Sequence, residues 1–167
     1  MKIYDVDQIK KVINLDLSLK ELINSQRQAF IDFSSGLYDV PIPMQLSFQE
    51  KVGDCHIKSG FKRNDDTFII KVATGFYQNT KLGLPASDGV VLVFSQDTGL
   101  LQVVLCDGGI LTTFRTSLAA AVAAQITPWD IKCIGVIGTG QLASQVIEIM
   151  RRMYPNAHLI LWGRPTF

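Results

Sequence analysis

The spacing of apolar residues along this chain changes twice. From Ser18 to Ser35 it follows a helical period. Leu19, Leu22, Ile23, Gln26, Phe30 and Phe33 fall at i, i+3, i+4, i+7, i+11 and i+14, and all but Gln26 are apolar. That is the stripe of a helix laid on a core. Ser18 and Glu21 make a capping box, each side chain answering a free backbone N–H. Gly36 suits the terminator, because it enters the left-handed region at no steric cost.

Beyond Gly36 the period shortens to two. Met44, Leu46 and Phe48 alternate with Gln45, Ser47 and Gln49, and Ile57, Ser59 and Phe61 with His56, Lys58 and Gly60. Thr67 to Thr74 is rich in β-branched residues. Asp88 to Ser95 and Leu100 to Cys106 flank the turn-forming Gln96-Asp97-Thr98-Gly99 and predict a hairpin. Short strands with regular turn signals predict a mainly antiparallel sheet, backed by the Ser18 helix.

The second change follows Asp107-Gly108-Gly109. Leu111 to Ile126 is alanine-rich and free of Gly and Pro, which favours helix. Thr127-Pro128-Trp129-Asp130 reads as a connector. After it come an apolar strand, Ile131 to Ile137, a glycine-rich turn, a helix to about Tyr154, and a strand from Ala157 to Trp162. The pattern therefore predicts an α+β domain over residues 1–127, followed over 128–167 by the beginning of a Rossmann-like α/β domain.

Composition narrows the function classes. With 47% hydrophobic and 19% charged residues the 167-residue chain can bury a core, which excludes intrinsic disorder. A formal net charge of +1 leaves no electrostatic footprint for nucleic acid or an acidic membrane. No apolar run approaches the roughly 18 residues of a membrane span. The opening Met1 to Lys11 places charges where a signal peptide needs an apolar stretch. Cys55, Cys106 and Cys133 have no metal-ligand spacing and are expected to be free thiols of a cytoplasmic protein; no metal site is expected.

The sharpest chemical signal is Gly138-Thr139-Gly140-Gln141-Leu142-Ala143, between an apolar strand and a helix. That is the context a dinucleotide-binding turn requires. The first glycine makes the turn, and the second admits a pyrophosphate to the backbone. The small third residue lets helix and strand pack closely. No acid follows the second strand to hold a ribose 2′-hydroxyl. Arg164 stands there instead, which favours NADP(H) over NAD(H); a solvated surface arginine is the alternative.

Among the sheet's cations, Lys71 sits in the apolar run Phe68 to Ala73, where a buried ammonium needs a carboxylate or a chemical task. An outward-pointing strand lysine is the alternative. Lys58 alternates regularly with its neighbours; Lys62 and Arg63 belong to a polar turn. Arg115, near the start of the alanine-rich helix, opposes the helix dipole and calls for an anionic partner, a substrate carboxylate or an internal ion pair. His56, a lone strand histidine, reads as structural.

Together these segments resemble the ornithine cyclodeaminase/mu-crystallin family. The resemblance is carried by His56 to Phe61, Lys71 to Asn79 with Gly83-Leu84-Pro85, Thr98-Gly99, Asp107-Gly108, Leu111 to Thr116, and Ile137 to Ala143. It implies a substrate-binding and dimerisation domain joined to a Rossmann domain that binds NAD(P), with a homodimer formed through the N-terminal sheet. It implies that Lys71 is catalytic and that Arg115, Lys71 and Gln45 contact a small amino or imino acid. Thr112, Gly138, Thr139, Gly140, Gln141, Leu142 and Arg164 would contact the cofactor. The implied chemistry is cyclodeamination of ornithine to proline, or oxidoreduction of an amino or cyclic imino acid. The alternative is a non-catalytic, mu-crystallin-like binder of NADPH and a ligand. Gln45 departs from the pattern, standing in Pro43-Met44-Gln45 where family members carry Pro-x-Arg. The family's catalytic aspartate falls beyond the second Rossmann strand. This chain is therefore expected to be the inactive N-terminal portion of the enzyme, rather than a natural module whose two-stranded parallel sheet would leave apolar edges uncovered.

Overall fold

The computed structural model describes residues 1–15 and 18–164. The chain divides into two compact units, one of residues 1–16 and 31–110, the other of residues 17–30 and 111–167.

The first unit is built on a sheet that begins earlier than the hydrophobic pattern suggests. β1 (Lys2–Tyr4) lies parallel to β7 (Leu101–Leu105), with Lys2 opposite Val103 and Tyr4 opposite Leu105. Between β1 and the next helix stands a second capping box. Asp5 Oδ1 accepts from the Gln8 N–H at 2.9 Å, and Gln8 Oε1 accepts from the Asp5 N–H at 2.9 Å. It starts α1 (Val6–Leu15), whose Ile9 is buried.

The remaining strands are β2 (Tyr38–Asp39), β3 (Met44–Phe48), β4 (Gly53–Lys62), β5 (Thr67–Phe76) and β6 (Ser87–Ser95). The spatial order is β1-β7-β6-β5-β4-β2, and β3 also pairs with β4. Every pairing but that of β1 is antiparallel. The expected hairpin is β6–β7. Gly99 takes φ 68° at its tip, and the Ser95 hydroxyl oxygen accepts from the N–H groups of Asp97 and Thr98. Phe68 and Phe94, directly opposed across β5 and β6, stack with ring centroids 4.8 Å apart.

α2 (Leu19–Ser34) starts where its capping box lies: Ser18 Oγ accepts from the Glu21 N–H at 3.2 Å, and Glu21 Oε2 accepts from the Ser18 N–H at 3.0 Å. It ends at Gly36, φ 74°, with the Leu37 N–H returning to the Asp32 carbonyl. Its stripe is only half buried. Ile23 is 3% exposed, whereas Phe30 and Phe33 are 46% and 57% exposed. The expectation of a continuous apolar face fails there because the last turn buries the Asp32 carboxylate instead, paired at 2.7 Å with Lys62 at the end of β4.

The second unit gathers Ile23 with Leu118, Ala121 and Val122 of α3 (Ile110–Ile126) and Ile149 of α4 (Gln141–Met153). The buried part of the Ser18 helix thus belongs to a helical cluster. β8 (Cys133–Ile137) and β9 (His158–Trp162) pair in parallel on either side of α4 in the chain, giving the expected strand–helix–strand.

Candidate functional site

The glycine turn lies between β8 and α4. Gly138 takes φ 119°, a conformation side chains rarely adopt, so the turn itself demands that glycine. Gly140 is different. At φ −81° and ψ 179° its backbone suits any residue, and a Cβ built there would meet no heavy atom within 4 Å. Nothing in the fold of this segment requires the second glycine; a ligand approaching the backbone would. Gly140 also caps α4 without a side-chain hydrogen bond, and α4 carries no acid in its first turn. The first N–H groups of α4 are thus uncapped by any side chain, at the positive end of the helix.

The end of β9 is held against this turn. The Gly138 N–H donates to the Trp162 carbonyl at 2.8 Å. A side chain at Gly163 would overlap Thr139 Cγ2. Arg164, one residue further and exposed, therefore follows directly from the turn's own packing partner. Thr139, Gln141 and Leu142 are exposed around it. Gly163 stands in the sequence as the neutral residue before Arg164; its packing against Thr139 is not legible there, because the contact joins residues distant along the chain.

Thr112 and Arg115 lie in the first turns of α3. The Thr112 carbonyl accepts from the Thr116 hydroxyl at 2.7 Å. Arg115 is exposed and makes no ion pair among the described residues, so the internal salt bridge weighed above is not found there.

The first unit presents Gln45 and Lys71 on one face of its sheet. Strand register places Gln45 opposite His56 and His56 opposite Ala73; two residues along, Lys58 is opposite Lys71 and Lys71 opposite Val91. Directly opposed residues and their second neighbours share a face. Lys71 is half-buried there beside buried Val91, while Gln45 and Lys58 are exposed. His56 Nε2 stands 3.6 Å from Asp54 Oδ1 on the same strand and face.

Asp107 adds a carboxylate to this face. It is fully buried, and a Cβ at Gly89 would stand 2.9 Å from its Oδ1. Gly89 is opposite Ala73, so the carboxylate lies over the surface that carries Lys71. Its signal in the sequence was Asp107-Gly108-Gly109 immediately before a helix, with φ 55° and 83° at the two glycines. Among the described residues there is no group of His, Cys, Asp and Glu that could hold a metal ion.

A sequence model of the ornithine cyclodeaminase/mu-crystallin family matches residues 4–166. The chain belongs to that family. A protein of Rhizobium meliloti (strain 1021), provisionally named a dehydrogenase, is 31% identical over 165 residues, which are 98% of this chain and 49% of that protein. The Thermococcus litoralis Delta(1)-pyrroline-2-carboxylate reductase, solved in complex with NADH and L-proline, superposes with a TM-score of 0.86 at 23% identity. The match covers 99% of this chain and 50% of that one. An archaeal alanine dehydrogenase dimer with bound NAD gives a TM-score of 0.83 at 22% identity, over 96% and 48% of the two chains. The family member thus spans about half the length of the relatives it matches, and its fold is that of their N-terminal halves.

Proposed function

We propose that this chain supplies the substrate-binding domain, residues 1–127, and the opening of the nucleotide domain, residues 128–167, of an NAD(P)-dependent enzyme. Its substrate is a small amino or cyclic imino acid. The observation that carries the reading is Gly140: a glycine that its surroundings do not need, at the uncapped start of a helix. A dinucleotide pyrophosphate accounts for both features. Gly138, Thr139, Gly140, Gln141 and Leu142 would line it, with Thr112 as a further contact. Arg164 would meet a 2′-phosphate, favouring NADP(H). When bound, the nicotinamide gives or takes a hydride.

On the substrate side, Arg115 is a guanidinium with its fork unengaged by any acid among the described residues, suited to hold a carboxylate bidentately. Lys71 is a half-buried ammonium on the face that also carries Gln45 and Asp107, suited to orient the substrate and stabilise charge at its reacting carbon. Gln45 adds hydrogen-bond donors without charge. The names of relatives as a dehydrogenase, a pyrroline carboxylate reductase and an alanine dehydrogenase support oxidoreduction.

The same reading makes the protein a homodimer, because β3 is exposed along its whole length, with Met44, Leu46 and Phe48 unburied. Three free cysteines, two of them exposed, suit a cytoplasmic location. No helix among the described residues is long and apolar enough to cross a membrane.

The test is kinetic and is made on the complete enzyme to which this chain contributes. Lys71→Met lowers kcat with amino- or imino-acid substrates by about 100-fold or more, whereas Arg115→Lys acts chiefly by raising KM, about 10- to 100-fold. Both variants retain cofactor binding. Turnover unaffected by either change rules the assignment out.

A further inference from the structure

Asp54 and His56 lie two residues apart on β4, on the face that carries Lys71, and His56 Nε2 stands 3.6 Å from Asp54 Oδ1. The carboxylate is fixed by its surroundings. A Cβ at Gly75, the residue opposite Asp54 on β5, would stand 3.1 Å from Asp54 Oδ1 and 3.3 Å from the Tyr77 hydroxyl. Gly75 is buried and has ordinary strand backbone, so the approach of those two groups is what leaves no room for a side chain there. A carboxylate beside Nε2 favours the neutral ring with its proton on Nε2, which leaves the Nδ1 lone pair as the acceptor. Nδ1 makes no hydrogen bond among the described residues.

Opposite His56 on β5 is Ala73, and Lys71 is the next residue of β5 on that face. His56 and Lys71 are thus diagonal neighbours, with Cα atoms roughly 7–8 Å apart. The residue opposite the imidazole is no larger than a methyl group, so the space beside Lys71 suits the nitrogen and α-carbon of a small amino acid. The other ionisable groups of this face are Asp54, Lys58, Lys71, Tyr77 and the fully buried Asp107. Imidazole is the group among these side-chain types whose ordinary chemistry trades a proton near neutral pH.

We propose that His56, positioned by Asp54, takes the proton of the substrate's ammonium group during oxidation and returns it during reduction. The inference rests on the proposed function for the reaction and adds the residue that moves this proton. In oxidation an N–H bond breaks and its proton goes to Nδ1. The nitrogen lone pair so released forms the C=N bond as the α C–H bond breaks, and the hydride passes to the oxidised nicotinamide. The products are an iminium, a reduced nicotinamide and an imidazolium stabilised by the Asp54 carboxylate. Both side chains are part-exposed, so replacing either leaves the fold intact.

The test is made on the complete enzyme to which this chain contributes. Oxidation of L-alanine, L-aspartate, L-glutamate and L-proline with NAD+ and NADP+ is followed across pH in the wild type, His56→Ala, His56→Gln and Asp54→Asn. In the wild type kcat falls at acid pH, because a protonated imidazole cannot take the substrate's proton. In both His56 variants kcat falls by about 100-fold with KM little changed. The acid limb of their profiles moves up to the range where the substrate's own ammonium ionises. Added imidazole restores His56→Ala by about tenfold, through the space vacated, and leaves His56→Gln unchanged. Asp54→Asn lowers kcat by about tenfold with KM little changed. An acid limb that stays at its wild-type position in the His56 variants, whatever their loss of rate, overturns the inference and leaves the redox reading standing. So does a wild type without an acid limb. A wild type that oxidises none of the four substrates with either cofactor defeats the proposed reaction and the inference together.

Discussion

Gly163 and Thr139 touch so closely that no side chain fits at position 163 without displacing the Thr139 methyl group. The contact ties the end of β9 to the middle of the glycine turn, reinforced by the Gly138 N–H bond to the Trp162 carbonyl. The turn's shape therefore depends on a residue outside the motif.

This relationship can be measured as a coupling. Gly163→Ala should lower stability by about 1–3 kcal/mol through overpacking and weaken nucleotide binding in the same protein. Thr139→Ser removes Cγ2, the overlapping atom, and leaves the remaining Thr139 atoms at 3.3 Å or more from a Cβ at 163. The double variant Gly163→Ala/Thr139→Ser should recover most of the loss. Additive single effects, measured by chemical denaturation, would show that the contact does not shape the turn.

The Asp32–Lys62 pair fastens the last turn of α2 to the end of β4. The hydrogen bond to Asp32 raises the Lys62 pKa above the ordinary 10.5. A pKa raised on folding stabilises the protein wherever the unfolded state would also be protonated, and that gain is lost as pH climbs through the raised value. The melting-temperature gap between wild type and Lys62→Met should therefore be constant near neutral pH and shrink above about 10.5. A gap that widens with alkalinity would contradict the pairing. Asp32→Asn should cost about 1–3 kcal/mol, since it weakens a charge-assisted bond at a buried site.

Val52 has φ 50° and ψ 50°, a left-handed conformation that a β-branched residue adopts only under strain. Its side chain is 46% exposed, so little packing is at stake. Val52→Asn, which tolerates this region, should raise stability by about 0.5–1 kcal/mol. Loss of stability on denaturant melting would mean that the valine's contacts outweigh its backbone strain.

Local chemistry made much of this fold readable from the chain. The Ser18–Glu21 box, the Gly36 stop, the Gln96–Gly99 turn and the strand–glycine–helix order are all short-range signals, and each stands where the pattern placed it. β1 was not readable because it is three residues long and its partner, β7, lies far along the chain. α1 carries an Asp5–Gln8 capping box and an apolar spacing at Val6, Ile9 and Ile13, signals as local as those of α2 but confined to ten residues. Phe30 and Phe33 fit the helical period but are exposed, since periodicity gives a face and not what covers it. In the candidate site, Gly138 and Gly140 could be singled out from the motif, whereas Gly163, Asp107 and the opposition of Lys58 to Lys71 depend on register and long-range approach.

The central claim is that a dinucleotide occupies the turn at Gly138–Gly140. The most direct measurement is calorimetric titration of NADPH and NADH into the complete enzyme to which this chain contributes, as wild type and as Gly140→Val. A Cβ at 140 meets no heavy atom within 4 Å, so the variant should lose only the preference for glycine over valine at a helix N-cap, about 1 kcal/mol. The account predicts cofactor binding by the wild type, at least tenfold weaker in Gly140→Val, a loss of about 1.4 kcal/mol or more. Equal affinity in the two proteins, or a wild type that binds neither cofactor, would contradict it.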